Sequence, residues 1–350
     1  MTANSSEQII TPFAEQAYTA DMDLFDAKNA QAMLIGREEQ AFDSPDYIYE
    51  LKLDGDRCLA YLDPGTGTHL VNKRGRDILP QLPELKRLHE QAGARCILDG
   101  ELVIGSGQKN EFGLIRSRLT TTNRYRMERL AREAPASFIA YDILYLGRES
   151  LVERPLEDRK SLMEQTLAVN NRLVVSRYIA ERGLALYRLV VEQGLEGVVA
   201  KRLGSVYQMG KRTRDWVKFK NWLDDDFVVC GYYPSDKANV VSLVVGQYRP
   251  HDGDEPELVY KGHVVLGLAN PDFRRIDALP RHTRGQTVQW GKTPADHPKT
   301  IWLEPLLVCK IEFMSLTRTG GLRQPVFRGL RDDKTPLECV EKDPDAWPRG

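Results

Sequence analysis

Lys52 stands in the run Glu50-Leu51-Lys52-Leu53-Asp54-Gly55-Asp56-Arg57, where an amine among carboxylates and an arginine is a candidate covalent nucleophile. An ammonium cannot attack. With an ordinary pKa of about 10.4, the amine must be made neutral by burial or by neighbouring cations. Trp216-Val217-Lys218-Phe219-Lys220 supplies such cations. In a strand, Lys218 and Lys220 share one face, and Val217 and Phe219 the other. Two lysines side by side repel unless an anion lies between them. Carboxylates recur in Leu98-Asp99-Gly100-Glu101-Leu102 and in Leu195-Glu196-Gly197-Val198-Val199-Ala200-Lys201. A carboxylate is a pure acceptor, suited to a hydroxyl, and Mg²⁺ commonly takes only one or two of them from a protein. Each pattern alone has a plainer explanation: a chance match for Lys52, a strand-end turn for Asp99-Gly100-Glu101, a half-buried strand residue for Tyr141. Their joint presence in one chain carries the chemistry.

These groups need strands to hold them. Tyr47 to Lys52 alternates as a strand, with Glu50 and Lys52 on one face and Tyr49 and Leu51 on the other. Cys58–Leu62 and His69–Asn72 bracket Asp63-Pro64-Gly65-Thr66-Gly67 as a hairpin. Further strands are expected at Cys96–Ile104 and Ser137–Tyr145. Helices are expected at Pro83–Gln91, Leu119–Glu133, Leu156–Leu167 and Gly183–Gln193, and Met22–Phe42 reads as helix or irregular lead-in. After Asn221-Trp222-Leu223-Asp224-Asp225-Asp226 come short β-rich runs at Phe227–Tyr233, Val240–Tyr248, Leu258–Val264, Thr287–Trp290 and Ile301–Leu316. About five short strands with little helix suggest a small barrel of the OB type.

The chain has 350 residues, enough for about two domains. Its 41% apolar and 28% charged content is that of a soluble globular protein. Five scattered cysteines with no CxxC pair indicate neither a zinc site nor a disulfide framework. The first residues are polar, with no signal-peptide core, and no apolar run approaches the ~18 residues that span a bilayer; a cytoplasmic monomer is the expectation. Net charge is −1, but the charge is clustered. Between Leu114 and Arg132 lie six arginines and one acid, Glu128, a net +5; between Lys201 and Lys220 lie seven basic residues and one acid, Asp215, a net +6. Such clusters are the footprint of a phosphate-binding surface.

With its motifs in order from Glu50 to Lys334, the chain resembles the ATP-dependent DNA ligases, in the superfamily shared with mRNA capping enzymes and RNA ligases. The resemblance implies that Lys52 takes AMP from ATP onto its amine. It implies that Glu50 lies close to the adenine and Arg57 near the sugar and the nick phosphate. Glu101 would meet the ribose or a metal, and Tyr141 of Tyr141-Asp142-Ile143-Leu144 would stack on the adenine. Glu196 is the implied ligand for Mg²⁺ or Mn²⁺, and Lys218 and Lys220 flank the α-phosphate. In Phe327-Arg328-Gly329-Leu330-Arg331-Asp332-Asp333-Lys334, Arg331 and Lys334 would reach the β- and γ-phosphates when the barrel closes. Deletion from Leu330 onward would then abolish self-adenylylation and spare some sealing of a pre-adenylylated nick. Asn72-Lys73-Arg74-Gly75 aligns with the family's SRxG element but places Lys73 at the arginine position, losing the bidentate fork. Either Lys73 or Arg74 could meet the nick 5′-phosphate. Arg76, Arg116, Arg118 and Arg212 complete the implied nucleic-acid set. Gly321-Leu322-Arg323-Gln324-Pro325 and the compact length look most like small bacterial ligases and the ligase modules of end-joining proteins.

The implied fold is α+β: a polar extension (1–25), a nucleotidyltransferase domain of antiparallel sheets with flanking helices (26–223), an OB-fold domain (224–335) and a tail (336–350). The implied function is sealing of 5′-phosphate/3′-hydroxyl nicks in duplex DNA; an RNA ligase or a capping guanylyltransferase is the alternative.

Overall fold

The structure, a computed structural model, describes residues 23–105, 112–235, 238–249, 256–282, 299–317 and 319–342. The strand expected at Thr287–Trp290 lies outside them. The chain opens with α1 (Leu24–Ala27), whose Asp23 cap accepts from the Phe25 amide at 3.0 Å. Then come β1 (Ser44–Leu51), β2 (Asp56–Asp63), β3 (Gly67–Asn72), β4 (Cys96–Ile104), α2 (Phe112–Thr120), α3 (Arg124–Glu133), β5 (Ala136–Leu146), β6 (Glu149–Ser150), α4 (Leu156–Thr166), β7 (Leu173–Val175), β8 (Tyr178–Glu181), α5 (Gly183–Glu192), β9 (Gly197–Arg202) and β10 (Trp216–Lys220).

These strands make two sheets. One has the order β3-β2-β4-β5-β6, with β7 parallel to β5; the other has the order β10-β9-β1-β8. One face of the first sheet buries Leu98, Phe138, Ile143 and Met163 in a large core. Its other face packs Tyr61, Ile97 and Leu144 with Tyr207 and with Trp216 of the second sheet. The second sheet turns Tyr49, Val198, Val217 and Phe219 toward Leu186 and Val190 of α5. Lys218 and Lys220, one step out of phase with Val217 and Phe219, therefore face away from that core. The segment from Ala27 to Phe42 is mostly irregular and runs beside β10, with the Gly36 amide on Trp216 O at 2.7 Å and the Glu39 amide on Lys218 O at 3.0 Å.

Two helix expectations fail for local reasons. Pro83–Gln91 forms short 3₁₀ turns, after a similar turn at Leu79–Gln81, and the buried Leu82, Leu85 and Leu88 recur every third residue, the period of a 3₁₀ turn. Leu119–Glu133 is two helices. The Thr121 hydroxyl donates to Ser117 O at 2.8 Å, and Asn123 caps α3 by accepting from the Arg126 amide at 3.0 Å. Such short polar side chains favour helix ends over interiors.

The second domain contains β11 (Leu223–Pro234), β12 (Val240–Arg249), β13 (Glu257–Gly267), α6 (Pro271–Asp277), β14 (Ile301–Trp302), β15 (Val308–Phe313), β16 (Ser315–Leu316), β17 (Leu322–Arg323) and β18 (Val326–Arg331). Its main sheet runs β13-β12-β11-β15-β18, and the two end strands come back into contact, which curls it into a barrel. Phe227, Leu243, Val264, Ile311 and Phe313 fill the interior, with Ile276 of α6 against them. Residues 336–342 are not a loose tail. Cys339 is buried, the Tyr248 amide donates to Cys339 O at 2.7 Å, and Glu341 pairs with Arg249 and Lys261. The five cysteines are unpaired thiols, all buried. Among the described residues, no helix is long and apolar enough to cross a membrane.

Candidate active site

A cavity of about 270 Å³ opens between the two sheets, lined in part by Glu50, Lys52, Arg57, Glu101, Tyr141, Val199, Lys201 and Trp216. Lys52 follows directly on β1, and its amide donates to Gly197 O at 2.8 Å. Two glycines make this junction. A Cβ on Gly197, where φ is +156°, would lie 2.2 Å from Phe219 O, and one on Gly55 would lie 2.2 Å from Leu102 O. Only glycine lets those backbones approach.

The Lys52 amine pairs with Glu196. The second Glu196 oxygen, Oε2, is buried with no hydrogen-bond partner among the described residues, an arrangement that calls for a ligand. Burial raises the Glu196 pKa, opposed by Lys52. On β4, burial pushes Glu101 up to about 8 against the pull of Lys52 and Arg57, and Glu101 also feels the Glu196 charge. One orphaned carboxylate oxygen and a second carboxyl beside it fit a hard divalent cation that takes its remaining ligands from phosphate and water. Among the described residues there is no cluster of three or more metal-binding side chains.

Lys218 stands on the same side. Burial lowers its pKa, and the Lys220 and Lys52 charges lower it further. Lys220 is drawn toward Glu38, at 3.7 Å, and lies over the Trp222 ring at 4.3 Å. Glu38 and Trp222 gave no signal in the sequence, because they come from the irregular lead-in and the interdomain turn.

Arg57 is held by a bidentate pair with Asp99 at 3.0 and 2.6 Å, and the Tyr207 hydroxyl donates to the same carboxylate at 2.6 Å. Its guanidinium lies 5.5 Å from the Tyr141 ring centroid and 5.9 Å from that of Trp216. Tyr141 on β5 and Val199 on β9 bring an aromatic ring and an apolar side chain to the cavity from the two sheets, and Lys201 Nζ lies over the Tyr141 ring at 4.5 Å. Val199, Lys201 and Trp216 are cavity residues that the sequence reading did not single out as binding groups.

On the implied nucleic-acid side, Asn72 Oδ1 accepts from the amides of Arg74 at 2.9 Å and Arg76 at 3.1 Å, which shapes the turn after β3. A neighbouring cavity of about 570 Å³ is lined by Lys28, Arg57, Lys73 and Arg74 among others. Lys73 lines both cavities and Arg74 only this one. Arg116 is exposed.

One expectation is corrected, and three other residues have protein partners of their own. Arg118 is only 2% exposed; it donates to Glu84 Oε2 at 2.9 Å, Ala134 O at 2.9 Å and Gln81 O at 3.1 Å, so it is a structural residue and not a nucleic-acid contact. Arg212 donates to the carbonyls of Ile35 and Gly36 and ties down the lead-in segment. Arg331 and Lys334 are not at the cavity. They pair with Asp226 within the barrel, at 3.2 and 2.5 Å, and Arg331 also with Asp333 at 2.7 Å. The barrel instead reaches the first domain through Arg323, which forks onto both oxygens of Asp54 with one bond of 2.6 Å. That contact follows from how the two domains are set together, which residue spacing does not encode.

The model of the ATP dependent DNA ligase domain matches residues 30–220, and that of the ATP dependent DNA ligase C terminal region matches residues 236–334. The multifunctional non-homologous end joining DNA repair protein LigD of Mycobacterium tuberculosis is 30% identical over 330 residues, which cover 92% of this chain and 41% of that protein. A DNA ligase of Thermococcus fumicolans is 27% identical over 311 residues, covering 83% of this chain and 53% of that one. The chain thus spans about two fifths to a half of the length of these relatives. Among solved structures, a Lig E DNA ligase is 17% identical with a TM-score of 0.54, covering 86% of this chain and 99% of that chain, a likeness of fold.

Proposed function

Because this chain belongs to the ATP-dependent DNA ligase family, we propose that it seals 5′-phosphate/3′-hydroxyl nicks in duplex DNA through an AMP carried on Lys52. The observation that carries the reading is the Lys52 amine at the cavity between the two sheets, paired with a half-orphaned carboxylate and near a second lysine.

In the first step Lys52 must act as the free amine, its proton passing to solvent. The amine lone pair then forms an N–P bond to the α-phosphate as the bond to pyrophosphate breaks. Lys218 and Lys220 stabilise the charge that grows on that phosphate. Tyr141 and Val199 flank the base, and Arg57, fixed by Asp99, stands at the sugar side. Mg²⁺ or Mn²⁺ held by Glu196 and Glu101 would neutralise phosphate charge when bound. Next the 5′-phosphate of the nick displaces Lys52 from AMP, and the 3′-hydroxyl then displaces AMP. Lys73, at the junction of the two cavities, is our candidate for the nick 5′-phosphate, with Arg74, Arg76 and Arg116 on the duplex. Arg331 and Lys334 serve the first step by orienting pyrophosphate, which requires the barrel to turn between steps. The names of several relatives place their activity in end joining, and we extend DNA repair to this chain on that basis.

Protein incubated with ATP and Mg²⁺ and analysed by peptide mass spectrometry should carry one added AMP at Lys52. The adduct should be absent from Lys52→Ala. A GMP adduct from GTP with none from ATP would refute the reading in favour of a guanylyltransferase.

A further inference from the structure

Helix α4 carries two adjacent basic residues that are both buried and that reach different strands. Arg159 forms a bidentate pair with Asp142 on β5 at 2.8 and 2.9 Å, with neither side chain exposed. Lys160 reaches Glu50 Oε1 on β1, with 2% and 3% of the two side chains exposed. The other oxygen, Glu50 Oε2, lies 2.9 Å from Lys201 Nζ. Glu50 and Lys201 line the cavity, and Lys160 stands behind them. A buried carboxylate with one ammonium on each oxygen is fixed in both position and orientation.

A carboxylate in that state accepts hydrogen bonds and donates none. It shares the cavity with the aromatic Tyr141 and the apolar Val199. A purine held between those two groups would present its edge to Glu50. An acceptor there favours the 6-amino group of adenine and opposes the 6-carbonyl of hypoxanthine. We propose that Lys160, which touches no ligand itself, is a positioning residue that sets Glu50 as the acceptor selecting a 6-aminopurine nucleotide. The inference rests on the nucleotide-binding reading of the cavity. Without Lys160, the carboxylate is free to turn toward Lys201, and its aim at the base is lost. A site built to pair a substrate group rejects the analogue lacking it far more strongly than an apolar pocket does, so selectivity is the sensitive measure.

The test is self-adenylylation of the full chain against self-inosinylation, with ATP or ITP and Mg²⁺. Lys160→Met should raise the KM for ATP about tenfold with kcat nearly unchanged, the signature of lost binding shared by ground and transition states. The ATP-over-ITP preference in kcat/KM should fall about tenfold or more, and Lys160→Arg should restore both. Should the Met variant melt too low to assay, Lys160→Gln carries the same expectation. An unchanged KM and preference in the neutral variant overturns the inference, as does an equal loss of kcat with both nucleotides. If wild-type protein forms no lysyl adduct at all, the proposed function falls instead. The positioning role is then decided by equilibrium binding of ATP and ITP to the same variants.

Discussion

Arg116 and Arg118 lie two residues apart on one helix, about 200° around its axis at 3.6 residues per turn. Arg116 faces solvent, whereas Arg118 follows Ile115 by three positions and shares its buried face. The same residue type therefore does opposite work. Arg118 joins α2 to Glu84 and to the carbonyl of Ala134, the residue that caps the end of α3. Removing one partner of a buried ion pair leaves the other uncompensated, so Arg118→Ala should lower stability by about 3–5 kcal/mol. The slope of log affinity for nicked DNA against log salt should stay as in wild type. Denaturant melts and salt titrations measure the two quantities, and a shallower slope with unchanged stability would return Arg118 to the DNA surface. Lys52 shows the complementary case: its type and setting pointed to its chemistry, and its pairing with Glu196 came from the fold.

At the scale of elements, β4 carries Glu101 into the site, and its pairing with β2 sets Arg57 opposite Glu101. The turn that follows β1 passes so close to β4 that Gly55 has no room for a side chain. That tight approach buries Glu101 and raises its pKa from 4.5 to about 8, burial being the leading cause. The folded state thus holds a proton that the unfolded chain releases earlier. Its contribution to stability is full below about pH 4.5 and is lost as pH rises through about 8. In metal-free protein, the melting temperature should therefore decline across that window more steeply in wild type than in Glu101→Gln. Equal slopes would show that Glu101 is not the group responsible. Added Mg²⁺ should raise the wild-type melting temperature most at the alkaline end, where the carboxylate is charged.

At the scale of the whole molecule, the barrel offers two basic sets. Arg323 engages Asp54, two residues from the proposed nucleophile Lys52, while Arg331 and Lys334 are engaged with Asp226 of the barrel domain. If each set serves a different step, single substitutions should separate the steps. Arg331→Ala or Lys334→Ala should slow self-adenylylation about tenfold or more while sparing closure of a pre-adenylylated nick, because orientation of pyrophosphate matters only in the first step. Arg323→Ala should do the reverse. Parallel loss of both steps in all three variants would remove the two-face assignment. Deletion from Leu330 onward is a poorer test than the sequence suggests. It removes the end of β18, which pairs with β15, and the segment that buries Cys339 against the barrel, so it would damage the domain as a whole.

The motif residues Lys52, Glu101, Tyr141, Glu196 and Lys218 were legible in the sequence, because their types and strand alternation leave few other uses for them together. The two-domain α+β plan was equally legible, since hydrophobic periodicity switches character near Trp222. What the chain order could not express was partnership across distance. Lys160 on Glu50, Asp99 under Arg57, Glu38 beside Lys220 and Arg323 on Asp54 join segments that are between 42 and 269 residues apart. Local propensity and period fix which face a side chain takes on its own element. Only the packing of one element on another decides whether that face meets water, a carboxylate or a neighbouring domain.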